Sequence, residues 1–154
     1  MTPQQRAAAV AALATAIAIP AEGLRRVAYY DPPGILTVCY GSTTNVQQGK
    51  VYSLAECRQR LDADMGAAVA TVDRCAPGLP EKALAAFADA VYNIGPTVAC
   101  NLSASTAARL LAAGRWQEAC EQLPRWNNSR IAGVLVPLPG LTKRRAAERA
   151  LCLS

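Results

Sequence analysis

At 154 residues the chain fits one domain, with room for two lobes and a real core. It is alanine-rich with only 5% aromatics, so its helices are expected to be slim and closely packed, and its net charge of +5 suits an anionic partner: nucleic acid, a membrane surface or bacterial cell wall. Histidine is absent, which excludes the commonest general base and metal ligand and leaves acid–base chemistry to carboxylates, with no metal or cofactor implied.

The N-terminal stretch "MTPQQRAAAVAALATAIAIPAEG" has one positive charge, Arg6, and then an uncharged run from Ala7 to Ala21. Three readings compete: a buried core helix, a signal peptide with "AIA" at 16–18 as its cleavage site, and a weak, reversible membrane anchor. A helix from Ala7 to Ile19 rises roughly 20 Å against a hydrocarbon core of about 30 Å. Alanine is also only weakly apolar, so such a segment would sit marginally in a bilayer and leave again. On the anchor reading the chain divides into residues 1–21 and a domain over 22–154.

The first helix is predicted to end near Pro20. Residues 29–52 read as a small β region, in which Asp31-Pro32-Pro33-Gly34 is turn chemistry and 35–40 alternate as a strand does. Ile35, Thr37 and Cys39 would share one face, with Leu36, Val38 and Tyr40 on the other. "SLAE" at 53–56 is a capping box that opens a long helix to about Val72. Further helices are expected at about 81–94, 104–113 and 116–123, and "GVLVPLPG", 133–140, reads as a proline-punctuated connection. The last helix, from about Thr142, carries Lys143, Arg144, Arg145 and Arg149, taken as a solvated basic face. Nucleic-acid binding is disfavoured because no aromatic interleaving accompanies those charges. The class is therefore α+β, mainly α, with one early hairpin.

The cysteines at 39, 57, 75, 100, 120 and 152 form an even set without a CxxC or Cys/His metal pattern. Three disulfides in an oxidising compartment is the preferred reading, with buried free thiols the alternative.

The segment "EGLRRVAYYDPPGILTVCYGST", 22–43, places two carboxylates and a hydroxyl where a helix ends and a hairpin begins. Glu22, at the end of an apolar helix, faces a poor solvent for its charge, which favours keeping its proton. Asp31, in a turn rich in backbone N–H groups, is expected to stay ionised. Two carboxyls driven apart in this way are what glycosidic cleavage requires, and Thr37 beside them can orient a water. Taken alone, these read more readily as a solvated helix-end acid, a turn former and a strand residue, and their spacing does not overturn that.

The run "EG" followed by "AYYDPPGILTVCYG" resembles the phage-type lysozymes of glycoside hydrolase family 24. That family's Glu, Asp and Thr fall here on Glu22, Asp31 and Thr37. The similarity continues through "SLAECRQRLDADM", "YNIG" at 92–95, "ST" at 105–106, "GRW" at 114–116 and "ACEQLPRW" at 119–126, and closes with "PGLTKRRAAERALCL", 139–153. The resemblance implies a two-lobed lysozyme-like fold that hydrolyses the β-1,4 MurNAc–GlcNAc bond of peptidoglycan. Glu22 would be the general acid, with Asp31 and Thr37 holding the nucleophilic water. Gly41, Thr43, Tyr92, Ser105 and Gln122 would line the sugar groove. It further implies a monomer exported to the host periplasm and held transiently at the inner membrane through residues 7–19, as in signal-arrest-release endolysins. A catalytically silent wall-binding module and a lytic transglycosylase are the rival readings.

Two departures from the family pattern stand out. Ser42 replaces a frequent His whose partner would be Asp64, and Cys39 replaces a frequent Gly. Six cysteines allow fifteen pairings. Those expected are Cys39–Cys57, tying hairpin to long helix, Cys75–Cys100, bracketing the 81–94 helix, and Cys120–Cys152, pinning the last helix.

Overall fold

The stretch "ALAAFADAV", 83–91, is apolar all round except for one acid, a pattern that suits a helix with no solvent face. In the computed structural model, which describes all 154 residues, it forms the middle of α3 (Glu81–Ile94), and every residue from Ala83 to Val91 is buried. The other three long helices, α1 (Pro3–Glu22), α2 (Leu54–Cys75) and α7 (Pro139–Cys152), all pack against it. Alanines at 83, 85, 86, 88 and 90 let those helices approach closely, and Phe87, Leu61, Met65 and Leu123 fill the space left.

Helix α1 opens with a Thr2–Gln5 capping box and Pro3 in its first turn. It runs past Pro20, which sits in the last turn, and ends at Glu22 because Gly23 takes φ +71°. Its 20 residues rise about 30 Å. Val10, Ala14, Thr15 and Ala18 are buried, so the helix packs as part of the core. At its other end the Arg6 guanidinium donates to the Leu79 carbonyl at 2.8 Å, tying α1 to the α2–α3 connection. No helix of the chain is long and apolar enough to cross a membrane.

The small lobe is the antiparallel hairpin of β1 (Arg25–Tyr30) and β2 (Leu36–Cys39), closed by the turn at 31–34. The expected alternation along 35–40 does not hold. Thr37, Val38, Cys39 and Tyr40 are all buried, because the 40–53 loop and α2 cover the face that a free hairpin would expose, and Cys39 at φ +63° breaks the period. Such a φ is one where glycine is the unstrained choice, and the cysteine that stands here instead is bonded to Cys57.

Helix α2 starts at the Ser53–Glu56 capping box and extends one turn beyond Val72. Short helices α4 (Thr97–Cys100), α5 (Thr106–Ala112) and α6 (Trp116–Gln122) follow, then a 3-10 turn at Leu123–Arg125. The stretch read as a connection is instead a second hairpin, β3 (Asn128–Ile131) with β4 (Val134–Pro137), turned by Ala132-Gly133 with both φ positive. Helix α7 begins at Pro139, three residues earlier than expected, with the proline in its first turn. Disulfides join Cys39 to Cys57, Cys75 to Cys100 and Cys120 to Cys152.

The Cys120–Cys152 bridge spans 32 residues and pins the last turn of α7 to α6. Replacing both cysteines by serine is expected to lower stability by about 3–4 kcal/mol. The denaturant midpoint reads this, and an unchanged midpoint would show that the bridge gives the native state no advantage.

Candidate active site

Glu22 is the last residue of α1, and Gly23 and Leu24 lead straight into β1, so the helix end and the hairpin meet at this side chain. Its carboxylate is about one-fifth exposed and accepts from the Arg144 guanidinium of α7. A Cβ on Gly41 would lie 3.4 Å from Glu22 Oε2 and 3.7 Å from the Tyr92 hydroxyl. Backbone from the hairpin side therefore lies beside Glu22, and Gly41 holds it there at φ +94°, where glycine is the unstrained residue. The expectation of an apolar setting is corrected here: Glu22 lies against the Arg144 cation.

Arg144 is the hub. Although burial alone would lower its pKa, the carboxylates of Asp89 and Glu22 raise it above the ordinary arginine value. Asp89 of α3 takes it bidentately, at 2.9 Å to Nε and 2.7 Å to Nη2, and Glu148 lies 3.9 Å from Nε. Neighbouring Arg145 donates to Asn93 at 2.8 Å and to Glu148 at 2.6 Å. Arg144, Arg145, Asp89 and Glu148 are all buried, so the basic face of the last helix is not solvated as the sequence suggested. Only its Lys143 and Arg149 remain outside the cluster, and Arg149 pairs with Glu121 at the surface.

The hairpin carries the other two residues. Asp31 is half-buried in the turn and accepts the Ile35 amide at 2.7 Å through Oδ1. Thr37, paired across the hairpin with Tyr29, is 4% exposed and donates its hydroxyl proton to the Ile35 carbonyl at 2.9 Å. Its lone pairs are what remains for a water, so it can orient one only as an acceptor.

Of the expected groove residues, Gly41 and Tyr92 adjoin Glu22. The Tyr92 hydroxyl donates to the Tyr40 carbonyl, and burial first, then the charge of Glu22, push its pKa above the normal phenol value. Thr43 is exposed on the loop beyond Gly41. Gln122 lies elsewhere, in a hollow of about 230 Å³ with Ala104, Thr106, Arg125 and Trp126. Ser105 cannot meet a sugar: it is fully buried, caps α5 by accepting from Ala108 at 3.1 Å and donates to Val98 at 2.7 Å.

Ser42 is buried beside Asp64, whose pKa is raised by burial despite Ser42 and Arg60 drawing it down. Arg60 donates to Ser42 at 3.1 Å, Thr44 at 2.5 Å and Asn45 at 2.8 Å. A permanent cation on α2 thus secures the loop over residues 42–45. The residues missed from sequence are Asp89, Arg144, Arg145 and Glu148. The signal was present in the lone acid within "ALAAFADAV" and in two arginines with a glutamate one turn on.

A helix-end acid set over a small hairpin and backed by a helical lobe defines a lysozyme-like protein. The chain belongs to the phage lysozyme family, whose model, described as Phage lysozyme, matches residues 20–148. It is 37% identical over 134 residues to a protein named SAR-endolysin of Bacteriophage PS119, covering 86% of this chain and 76% of that one. Among solved structures it is similar to the active form of the P1 phage endolysin Lyz, with 28% identity, TM-score 0.72, and coverage of 92% and 83%. Its likeness to the secreted inactive form of that protein is weaker, with 25% identity, TM-score 0.53, and coverage of 70% and 74%.

Gly41→Ala forces a side chain onto φ +94° and against Glu22. A stability loss of about 1–3 kcal/mol is expected, with a fall in any activity that depends on Glu22; thermal melts and turnover on purified cell wall check both. Arg60→Ala is expected to loosen residues 42–45, read as faster amide exchange confined to that loop.

Proposed function

We propose that this chain is an endolysin that cleaves the β-1,4 MurNAc–GlcNAc bond of peptidoglycan, with Glu22 as general acid. The observation that carries the proposal is the placing of Glu22: part-exposed at the junction of hairpin and helical lobe, and fixed there by Arg144 and the Gly41 backbone. In the reaction Glu22 gives its proton to the leaving glycosidic oxygen as the anomeric C–O bond breaks. Asp31, held by the Ile35 amide, supports the positive charge that develops on the sugar or holds the attacking water. Thr37 accepts one hydrogen bond from that water. Tyr92 and Thr43 flank the sugars, and Gln122 serves a more distant subsite.

The family membership and the relatives support a glycan hydrolase over a silent binding module. The decisive test is mass spectrometry of products from purified peptidoglycan, with a folded Glu22→Gln variant as control. Hydrated, reducing MurNAc ends that disappear in the variant are expected. Anhydro ends would mean a transglycosylase, and wall binding without products would mean a binding module.

The regulatory part of the reading concerns α1. Export to the periplasm with residues 7–19 lodged in the inner membrane would keep Glu22 at the headgroups and away from Arg144. The segment's low hydropathy is the physical basis for its leaving the bilayer again, and refolding as α1 would bring Glu22 to the site. The names of the relatives support this, as does the greater likeness to an active than to an inactive form of the P1 protein. Membrane-tethered protein is expected to be inactive on added sacculi, and full activity of the tethered form would remove the switch.

A further inference from the structure

Five ionisable side chains meet around Arg144: the guanidiniums of Arg144 and Arg145 and the carboxyls of Glu22, Asp89 and Glu148. Two cations face three acids. Four of the five side chains are essentially without solvent contact, and a net charge left in such a place is costly. Neutrality therefore requires the cluster to hold one proton. Asp89 is a poor host, because its two oxygens are both engaged by Arg144. The proton belongs to Glu22 or to Glu148.

Nothing in the proposed reaction uses Glu148. It is fully buried on α7, 2.6 Å from Arg145 and 3.9 Å from Arg144, with Oε2 bonded to nothing. Burial first, then the adjoining Asp89 carboxylate, hold its pKa well above the ordinary carboxylate range, against the pull of both arginines. The surrounding elements add no further charge at that point. From α6 Glu121 is bonded to Arg149, from the 3-10 turn Arg125 is bonded to Gln122, and α3 contributes the neutral Asn93 and Tyr92 besides Asp89.

We infer that Glu148 is a positioning residue for the proton of the general acid: Glu22 and Glu148, joined through Arg144, share one proton, and Glu22 is armed when Glu148 carries the negative charge. With Glu148 ionised, Arg144 is balanced by buried partners and Glu22 can keep its proton. With Glu148 protonated, Glu22 is the remaining partner of Arg144 and loses it. This rests on the reading of Glu22 as the acid, and it answers how a carboxyl beside an arginine can be one.

Removing the Glu148 charge leaves two cations facing two acids, so Glu22 ionises more readily. The basic limb of the kcat/KM–pH profile of Glu148→Gln is expected to move down by about one pH unit or more, while Glu148→Asp, which keeps the charge, moves it back towards wild type. Because Glu148→Gln leaves Arg145 short of a partner and risks misfolding, a reciprocal measurement stands beside it. In carboxyl-labelled protein, the Glu148 titration followed by NMR is expected to shift downwards in Glu22→Gln by a similar amount, as linkage requires. An unmoved Glu148 titration, or an unmoved basic limb in folded Glu148→Gln, would overturn the inference. An inactive wild type would instead overturn the assignment of Glu22, and the NMR arm would still report on the shared proton.

Discussion

The contact on which the rest depends is the Arg144 guanidinium, which gathers Glu22 from the first helix, Asp89 from the central helix and Glu148 from its own helix. Removing one partner of a buried ion pair costs about 3–5 kcal/mol, because the remaining charge is stranded. A three-way contact is therefore an exacting device: the core is at its best only when α1, α3 and α7 are all in place. Since one of those carboxylates is the proposed catalytic acid, assembly of the bundle and assembly of the site become a single event.

The same geometry sets how firmly the first helix is held. Its buried face is Val10, Ala14, Thr15 and Ala18, a small apolar area. Arginines hold its ends, Arg6 reaching Leu79 at one and Arg144 taking Glu22 at the other. Small side chains give close packing on α3 but modest transfer energy, about 25 cal/mol per Å² of area buried. The switch proposed for α1 draws on that modest hold.

Much of this was legible in the residues. The helix from 54 follows from its capping box and those over 81–94 and 116–122 from apolar period, while Glu22, Asp31 and Thr37 stand out only through the family resemblance and not by spacing. Three things were not. The second hairpin is turned by Ala132-Gly133, and alanine at positive φ gives no turn signal of the kind that Asn-Gly gives. Arg144 and Arg145 looked like a solvated face because a charge run usually is one; their burial depends on Asp89, which lies more than fifty positions away. Ser105 fitted a groove by resemblance, but its hydroxyl closes α5 instead. In each case the deciding contact is tertiary and leaves no local period to read.

The most direct test is a double-mutant cycle between the two ends of the central contact. Glu22→Gln, Arg144→Met and the double variant are compared with wild type by denaturant unfolding. The account predicts a coupling of about 1–3 kcal/mol, with Arg144→Met far more damaging when Glu22 and Asp89 keep their charge. Coupling indistinguishable from zero, in variants that all fold, would mean that Arg144 does not hold α1 to the bundle, and the account would fail at its base.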